Sequence, residues 1–249
     1  MEKLIFKKVT LQEEALMEQI FRLRLHVYGR ECGFINEEDY PNGLETDEYD
    51  PHALHFAAIN SQGEVIGSLR MIIPDTLKLP VEKHCSHSTL NKRLKPDYAF
   101  AEISRLVVSK KLIKARNHAL DTGHLLQTGF NNLCKANSLE ILERAKPLAF
   151  GLCREVFKES VQRGITHWYA LMEKSLWYLL RIHGFTFECV GGEIDVYGPV
   201  KPYVGKVTDF EKAIKNFQLK HSWTALKTQN HPSLSSETSF HFSEHLVGV

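Results

Sequence analysis

The feature that most constrains this chain is charge placed where its neighbours call for buried carbon. Arg70 sits inside the apolar run of residues 65–73, and Glu102 and Arg105 sit inside a second run, residues 101–108. Unpaired charges in such strands cost several kcal/mol. Partners are close in sequence. Glu45, Asp47, Glu48 and Asp50 put four carboxylates into residues 45–50, just before a third buried-looking run, and Arg22 and Arg24 lie on the helical stretch ahead of them. Arginines and several carboxylates in one half of the fold could satisfy one another. One reading is a structural ion-pair network, which perturbs ionisation without doing chemistry. The other is a site for a zwitterion, in which arginine grips a carboxylate as a bidentate pair and a carboxylate receives an amine and its proton.

The elements that would carry these residues follow from periodicity. Residues 3–9 alternate and open a sheet. From residue 11 to residue 30 the positions Leu16, Ile20, Leu23 and Val27 step by three and four, a helical face. Residues 31–50, with Gly33, Pro41 and Gly43, read as loop. Apolar runs at 55–59 and 65–73 flank the turn Asn60, Ser61, Gln62, Gly63, which predicts an antiparallel hairpin stopped by Pro74. Residues 74–97 form a polar insertion, and 112–144 are helical in parts. Residues 147–163 form an amphipathic helix with Pro147 in its first position and Gly164 as its stop. A strand over 165–172, a helix over 173–183 and a strand over 185–190 follow. The signal fades after Tyr203. Residues 212–228 suit a basic helix, and the Ser/Thr/His-rich 229–249 suit disorder. The plan is α/β with a mixed sheet: a principal domain over 1–205 and a C-terminal extension over 206–249.

Composition excludes several function classes. With 43% hydrophobic and 24% charged residues the chain reads as an ordinary soluble protein. A net charge of +1 gives no field for nucleic acid or anionic lipid. No apolar run approaches the roughly 20 residues of a membrane span, and the start of the chain is too short on apolar residues for a signal peptide. The five cysteines, at 32, 85, 134, 153 and 189, are odd in number and lack CxxC spacing, which fits a reducing cytoplasm. Gly191 and Gly192 stand outside any GxGxxG, and no GxxxxGK[ST] occurs, so dinucleotide and P-loop chemistry have no support. His84, Cys85 and His87 are metal-ligand types without a second pair at useful spacing, so no metal and no bound cofactor is expected. Cys32 has no histidine implied as a partner, which disfavours covalent catalysis.

The charged residues also carry a resemblance. Arg24, Val27, Tyr28, Phe34, Glu45-x-Asp47-x-Tyr49-Asp50, Arg70 and Glu102-x-x-Arg105 resemble the signature of the LuxI-type acyl-homoserine-lactone synthases. The longer strings at 21–28, 33–34, 45–52, 79–82, 102–106 and 171–173 are more similar to a sister group, the N-acyl amino acid synthases and the acyltransferases associated with PEP-CTERM/exosortase systems. The resemblance spans about residues 5–205. It implies a GNAT fold, with a mixed twisted sheet whose splayed central strands are flanked by helices. The donor's thioester arm would lie in the V between the strand after Glu102 and the strand from Ile165. Backbone amides freed by the splay would meet the thioester oxygen. The implied activity is that of a bacterial cytoplasmic N-acyltransferase that moves a fatty acyl group onto the amine of an amino acid or close relative by direct aminolysis.

The resemblance also implies roles. Glu102 is the first choice of base, against a plain salt bridge to Arg105 or Arg70. Asp47 and Glu45 come next. Ser104 would donate a hydrogen bond near the reacting centre, against a mere strand filler. Arg24, Arg70 and Arg105, with Asp50, would order the acidic loop and bind the acceptor's carboxylate. Tyr28 and Phe34 would line a pocket, against a place in the core. Leu106, Val107 and Val108 would flank the thioester arm. Lys110, Lys111 and Lys114 stand where CoA-dependent GNAT enzymes carry a Gly-rich Q/RxxGxG/A turn. Without that nest a pyrophosphate loses its cradle, whereas a basic surface fits the acidic helix of acyl carrier protein. Acyl-ACP is therefore favoured over acyl-CoA. Two departures stand out. Leu180 occupies the place of the tyrosine acid of many GNAT enzymes, and the segment 197–203 is one residue shorter than its counterpart in the sister group and lacks its histidine. The competing functions are a homoserine-lactone synthase and a non-catalytic GNAT-fold module that binds an acyl carrier.

Overall fold

The apolar runs assemble into one twisted, mixed sheet. In the computed structural model, residues 4–74, 77–85, 99–109 and 138–221 are described, the side chains of 138–144 and 216–221 excepted. The strands are β1 (Ile5–Val9), β2 (Ala53–Ile59), β3 (Val65–Ile72), β4 (Phe100–Val108), β5 (His167–Met172), β6 (Glu188–Cys189), β7 (Ile194–Asp195) and β8 (Pro199–Lys206). Their order is β1-β2-β3-β4-β5-β8-β6, with β7 on β8. The β4–β5 pair is parallel and the other pairs are antiparallel. The helices are α1 (Glu14–Leu25), α2 (Pro80–His84), α3 (Ser138–Gln162), α4 (Lys174–Ile182) and α5 (Val207–His221).

Local chemistry sets the β2–β3 hairpin. The Asn60 side-chain oxygen accepts from the N–H groups of Gln62 and Glu64 at 3.0 and 2.8 Å. Gly63 closes the turn at φ +81°, where a side chain would be strained. The period of two then sends alternate residues of β3 to opposite faces. Leu69 and Met71 join Phe56, Ala101, Leu152, Val156 and Trp168 in the main core, on the α3 side. Ser68, Arg70 and Ile72 face the other way. That second face carries two smaller cores. One lies under α1 and holds Met17, Ile20, Leu23, Ala57 and Val107. The other lies beside α2 and holds Tyr49, Ile72, Leu79, Val81, Cys85 and Tyr169. The strand charges occupy the ground between them.

β4 departs from regularity twice. Its register against β3 shifts between Ser68 and Arg70, and Arg105 has φ 54°. This is a bulge. Its pairing with β5 covers only Phe100↔His167, Ala101↔Trp168 and Glu102↔Tyr169, although β4 runs on to Val108 and β5 to Met172. Beyond Glu102 the two central strands part.

Three expectations need correction. Pro147 is not the first residue of its helix but lies inside α3, which is already helical at Ser138. The packing of Leu148, Leu152 and Val156 in the main core offsets the backbone hydrogen bond that proline cannot make. The strand expected over 185–190 shrinks to Glu188–Cys189. The helix expected over 212–228 begins at Val207, directly after β8, and sets Val207, Phe210, Ala213 and Ile214 in the main core. The basic end of that stretch, the Ser/Thr/His-rich tail and residues 110–137 lie outside the described residues.

Candidate active site

The acidic loop and the strand arginines close into one buried cage. Arg24, on the last turn of α1, donates through Nη1 and Nη2 to the two oxygens of Asp50 at 2.7 and 3.1 Å, and through Nε to Glu45. Arg70 donates through Nη1 to Asp47 at 2.6 Å and Asp50 at 2.8 Å, and through Nε to Ser104 Oγ at 3.0 Å. Arg105 donates through Nε to Glu45 and through Nη2 to Asp47, both at 3.0 Å. The loop braces itself as well. Asp50 accepts from the Asp47 N–H at 2.8 Å, and Asp47 from the Tyr49 N–H at 2.9 Å. The buried His55 ring lies 3.0 Å from the Asp50 carbonyl. Three guanidinium groups meet three carboxylates, so the cage is neutral in sum.

The bulge makes this possible. Regular alternation would send Ser104 and Arg105 to opposite faces. The left-handed turn at Arg105 returns its side chain to the face of Ser104 and Arg70. Such a conformation costs a non-glycine residue on the order of 1 kcal/mol. Its ion pairs offset this cost, and so do two aromatic faces, Tyr28 and Tyr197, with centroids 5.7 and 5.4 Å from the guanidinium carbon. Tyr28 reaches that place because α1 widens into a π-helical turn at His26–Glu31. Phe34 packs beside Tyr28 at 6.3 Å.

Glu102 stands apart from the cage. It lies at the last paired rung before β4 and β5 separate, 1% exposed. Among the described residues it forms no ion pair, so the salt bridge to Arg70 or Arg105 weighed against the base role is not made. Its Oε2 accepts from the Val81 N–H of α2 at 2.8 Å.

Residues 23–120 match the acetyltransferase (GNAT) domain. Over those residues the chain is similar to a GNAT domain. Acyl transfer is the chemistry that goes with such a domain. The fold of the whole chain agrees. A CoA-dependent acyl-homoserine lactone synthase, BjaI, solved with SAM and isopentyl-CoA, superposes with TM-score 0.60 at 18% identity, over 94% of this chain and 96% of that one. FeeM, an N-acyl amino acid synthase from uncultured soil microbes, gives TM-score 0.54 at 14% identity, over 87% of this chain and 97% of that one. The AHL synthase LasI gives TM-score 0.55 at 14% identity, over 93% of this chain and 100% of that one. At such identities the likeness is one of fold. No curated protein matches the chain. None of the described helices is long and apolar enough to cross a membrane.

Within the site the acids sort by environment. Burial pushes Asp47 and Asp50 up, but the arginine charges and hydrogen bonds outweigh it and hold both below the ordinary aspartate value. Burial dominates at Glu102, where the Val81 N–H and the more distant arginines oppose it only in part, and its pKa rises to about 8. Burial also lowers His55, which stays neutral near pH 7, and lifts the Tyr28 phenol to about 12. One acid of the set is therefore poised to exchange a proton near neutral pH.

The structure thus brings together Arg24, Glu45, Asp47, Asp50, Arg70, Ser104 and Arg105, with Tyr28 and Phe34 at the rim and Glu102 alongside. Leu106, Val107 and Val108 lie on the stretch of β4 beyond its pairing with β5. Lys110, Lys111 and Lys114 lie outside the described residues. Sequence reasoning missed the anchoring N–H of Val81, which as a backbone group leaves no trace in side-chain pattern. It also missed Tyr197, at φ 57° on the turn before β8, and Tyr169, which looks like ordinary strand core. His55, which the sequence allows as a loop or core histidine, is buried in the core beside the cage.

Proposed function

We propose that this GNAT domain moves a fatty acyl group from acyl carrier protein to the amine of an amino acid or close relative by direct aminolysis. The observation that carries the reading is Glu102, a buried acid with a pKa of about 8, placed where the central strands part and beside a charge-balanced cage. A thioester arm in the V would present its carbonyl beside that rung. Glu102, ionised, takes a proton from the acceptor's ammonium, directly or through a water. The neutral nitrogen attacks the carbonyl carbon, the N–C bond forms, and the C–S bond breaks. Over the cycle the ammonium gives up two protons, one to the departing thiolate and one to solvent.

Arg24 and Arg70 hold the acidic loop in place and are positioning residues. Arg105 is the candidate for the acceptor's carboxylate, since its side chain is 14% exposed against 1% and 2% for the other two. Asp47, 23% exposed at its side chain, sits beside it as a partner for the ammonium. Ser104 and the β4 residues 106–108 would flank the arm. The choice of acyl carrier protein rests on Lys110, Lys111 and Lys114 in place of a Gly-rich pyrophosphate turn. The proposed scheme needs no metal or bound cofactor, and it would run in a bacterial cytoplasm.

Mass spectrometry of lipids from cells expressing the chain, beside cells expressing Glu102→Gln, tests the reading. New N-acyl amino acids in the first culture and not the second are expected. A lactone would point to a homoserine-lactone synthase, and no product to a non-catalytic carrier-binding module. Either result would overturn the proposal.

A further inference from the structure

Among the described residues, two buried side-chain oxygens lack a hydrogen-bond partner, Ser68 Oγ and Tyr169 Oη. Buried hydroxyls are nearly always bonded, so each calls for a reason. Tyr169 is the informative one. Its side chain is 2% exposed, in an apolar cluster with Ile72, Leu79, Val81 and Val190. Its ring is held by stacking on Phe100, with centroids 4.8 Å apart and planes at 17°. Phenylalanine would fill the same space without stranding a donor. The position explains what the hydroxyl is for. Tyr169 is the β5 partner of Glu102 in the last rung before the V opens, and partners across a parallel pair project to the same face. Burial, helped by the nearby Glu82 and Glu102 carboxylates, raises its pKa, so the phenol is a standing donor.

We propose that Tyr169 binds the acyl donor: its O–H donates to the thioester carbonyl oxygen of an arm seated between β4 and β5, and keeps that bond as the oxygen turns anionic. The proposal rests on the acyl-transfer reading above. As the N–C bond forms, the carbonyl π pair moves onto the oxygen held by Tyr169. It returns as the C–S bond breaks and the thiolate leaves. The phenol keeps its own proton throughout. Donor and base then sit on adjacent strands, one for the oxygen and one for the nitrogen of the same tetrahedral intermediate.

The test is Tyr169→Phe in the full chain, read three ways. Melting temperature is measured without ligand. Octanoyl-, dodecanoyl- and hexadecanoyl-pantetheine, which carry the arm common to both carriers, are titrated without acceptor. Turnover is followed with acyl-ACP and mixed amino acids. The expected variant melts at or above the wild type, binds its best acyl-pantetheine about tenfold more weakly, and loses about 10- to 100-fold in kcat. Its KM for the amine is unchanged. Wild-type binding and kcat in the variant would overturn the proposal. So would a fall in melting temperature, which would give the hydroxyl a structural partner, or a wild-type chain that binds none of the three thioesters. Weaker binding by the variant when the wild type forms no amide would keep the contact and sink aminolysis. Equal amide formation by both proteins would do the reverse.

Discussion

Glu102 and Asp47 share one constellation yet hold their protons over different ranges of pH. Asp47 is ionised by its arginines, while burial keeps Glu102 protonated up to about pH 8. Two consequences follow for Glu102→Gln. As a base, Glu102 works only when ionised, so kcat/KM of the wild type should climb with pH and level off above about 8. The variant should lose on the order of 100-fold or more in kcat, with its melting temperature near neutral pH kept or raised, because a glutamine oxygen still accepts from Val81 and carries no charge to bury. Stability runs the other way. The folded chain retains a proton that the unfolded chain loses near the ordinary value of 4.5, so Glu102's contribution falls as pH rises from 4.5 to about 8. Urea unfolding at both ends of that window should show a decline in the wild type that is smaller in Glu102→Gln, by a few kcal/mol. Arg24→Met tests the cage itself. It leaves Asp50 and Glu45 buried beside too little positive charge and should cost about 3–5 kcal/mol in the same assay. The cage was legible in sequence because Arg70 and Arg105 broke apolar runs and the acidic loop at 45–50 offered them partners. The orphan phenol of Tyr169 broke none, and the Val81 amide belongs to the backbone that every residue shares.

At the scale of elements, the decisive irregularities both lie on β4. The bulge turns Arg105 inward, and the early end of β4–β5 pairing opens the V. Neither is written in periodicity, since an arginine at φ 54° is chosen by its partners Glu45 and Asp47, which come from a loop about sixty residues away in the chain. The hairpin, by contrast, is set by Asn60 and Gly63 and could be read from four residues. β8 could not, because Pro199 and Pro202 argue against a strand. It exists because β5 and β6 lie on either side of it. Close packing of α3 on β1 gives a direct test of the frame. A Cβ at Gly151 would lie 2.2 Å from the Phe6 ring. Gly151→Ala should destabilise by about 1–3 kcal/mol, and adding Phe6→Leu should recover part of that loss in a double-mutant cycle by denaturant unfolding.

The whole molecule combines a sheet whose far side is ordinary core with a near side that shelters charge between two small apolar clusters. That division lets a neutral cage stay buried while a single carboxylate beside it remains free to exchange a proton. Recognition of the donor belongs to this scale too. If basic residues after β4 receive an acidic carrier, the KM for acyl-ACP should rise steeply with salt, while turnover with acyl-pantetheine should barely respond. The central claim is transfer of an acyl group from a thioester to an amine at the Glu102 rung. Its most direct test is product analysis with purified chain, acyl-ACP and a mixture of amino acids, followed by mass spectrometry and thiol titration. The account predicts an N-acyl amino acid and one free carrier thiol per amide, at a rate that Glu102→Gln lowers by on the order of 100-fold or more. Thiol release without amide, or amide formation at the wild-type rate by the variant, would contradict it.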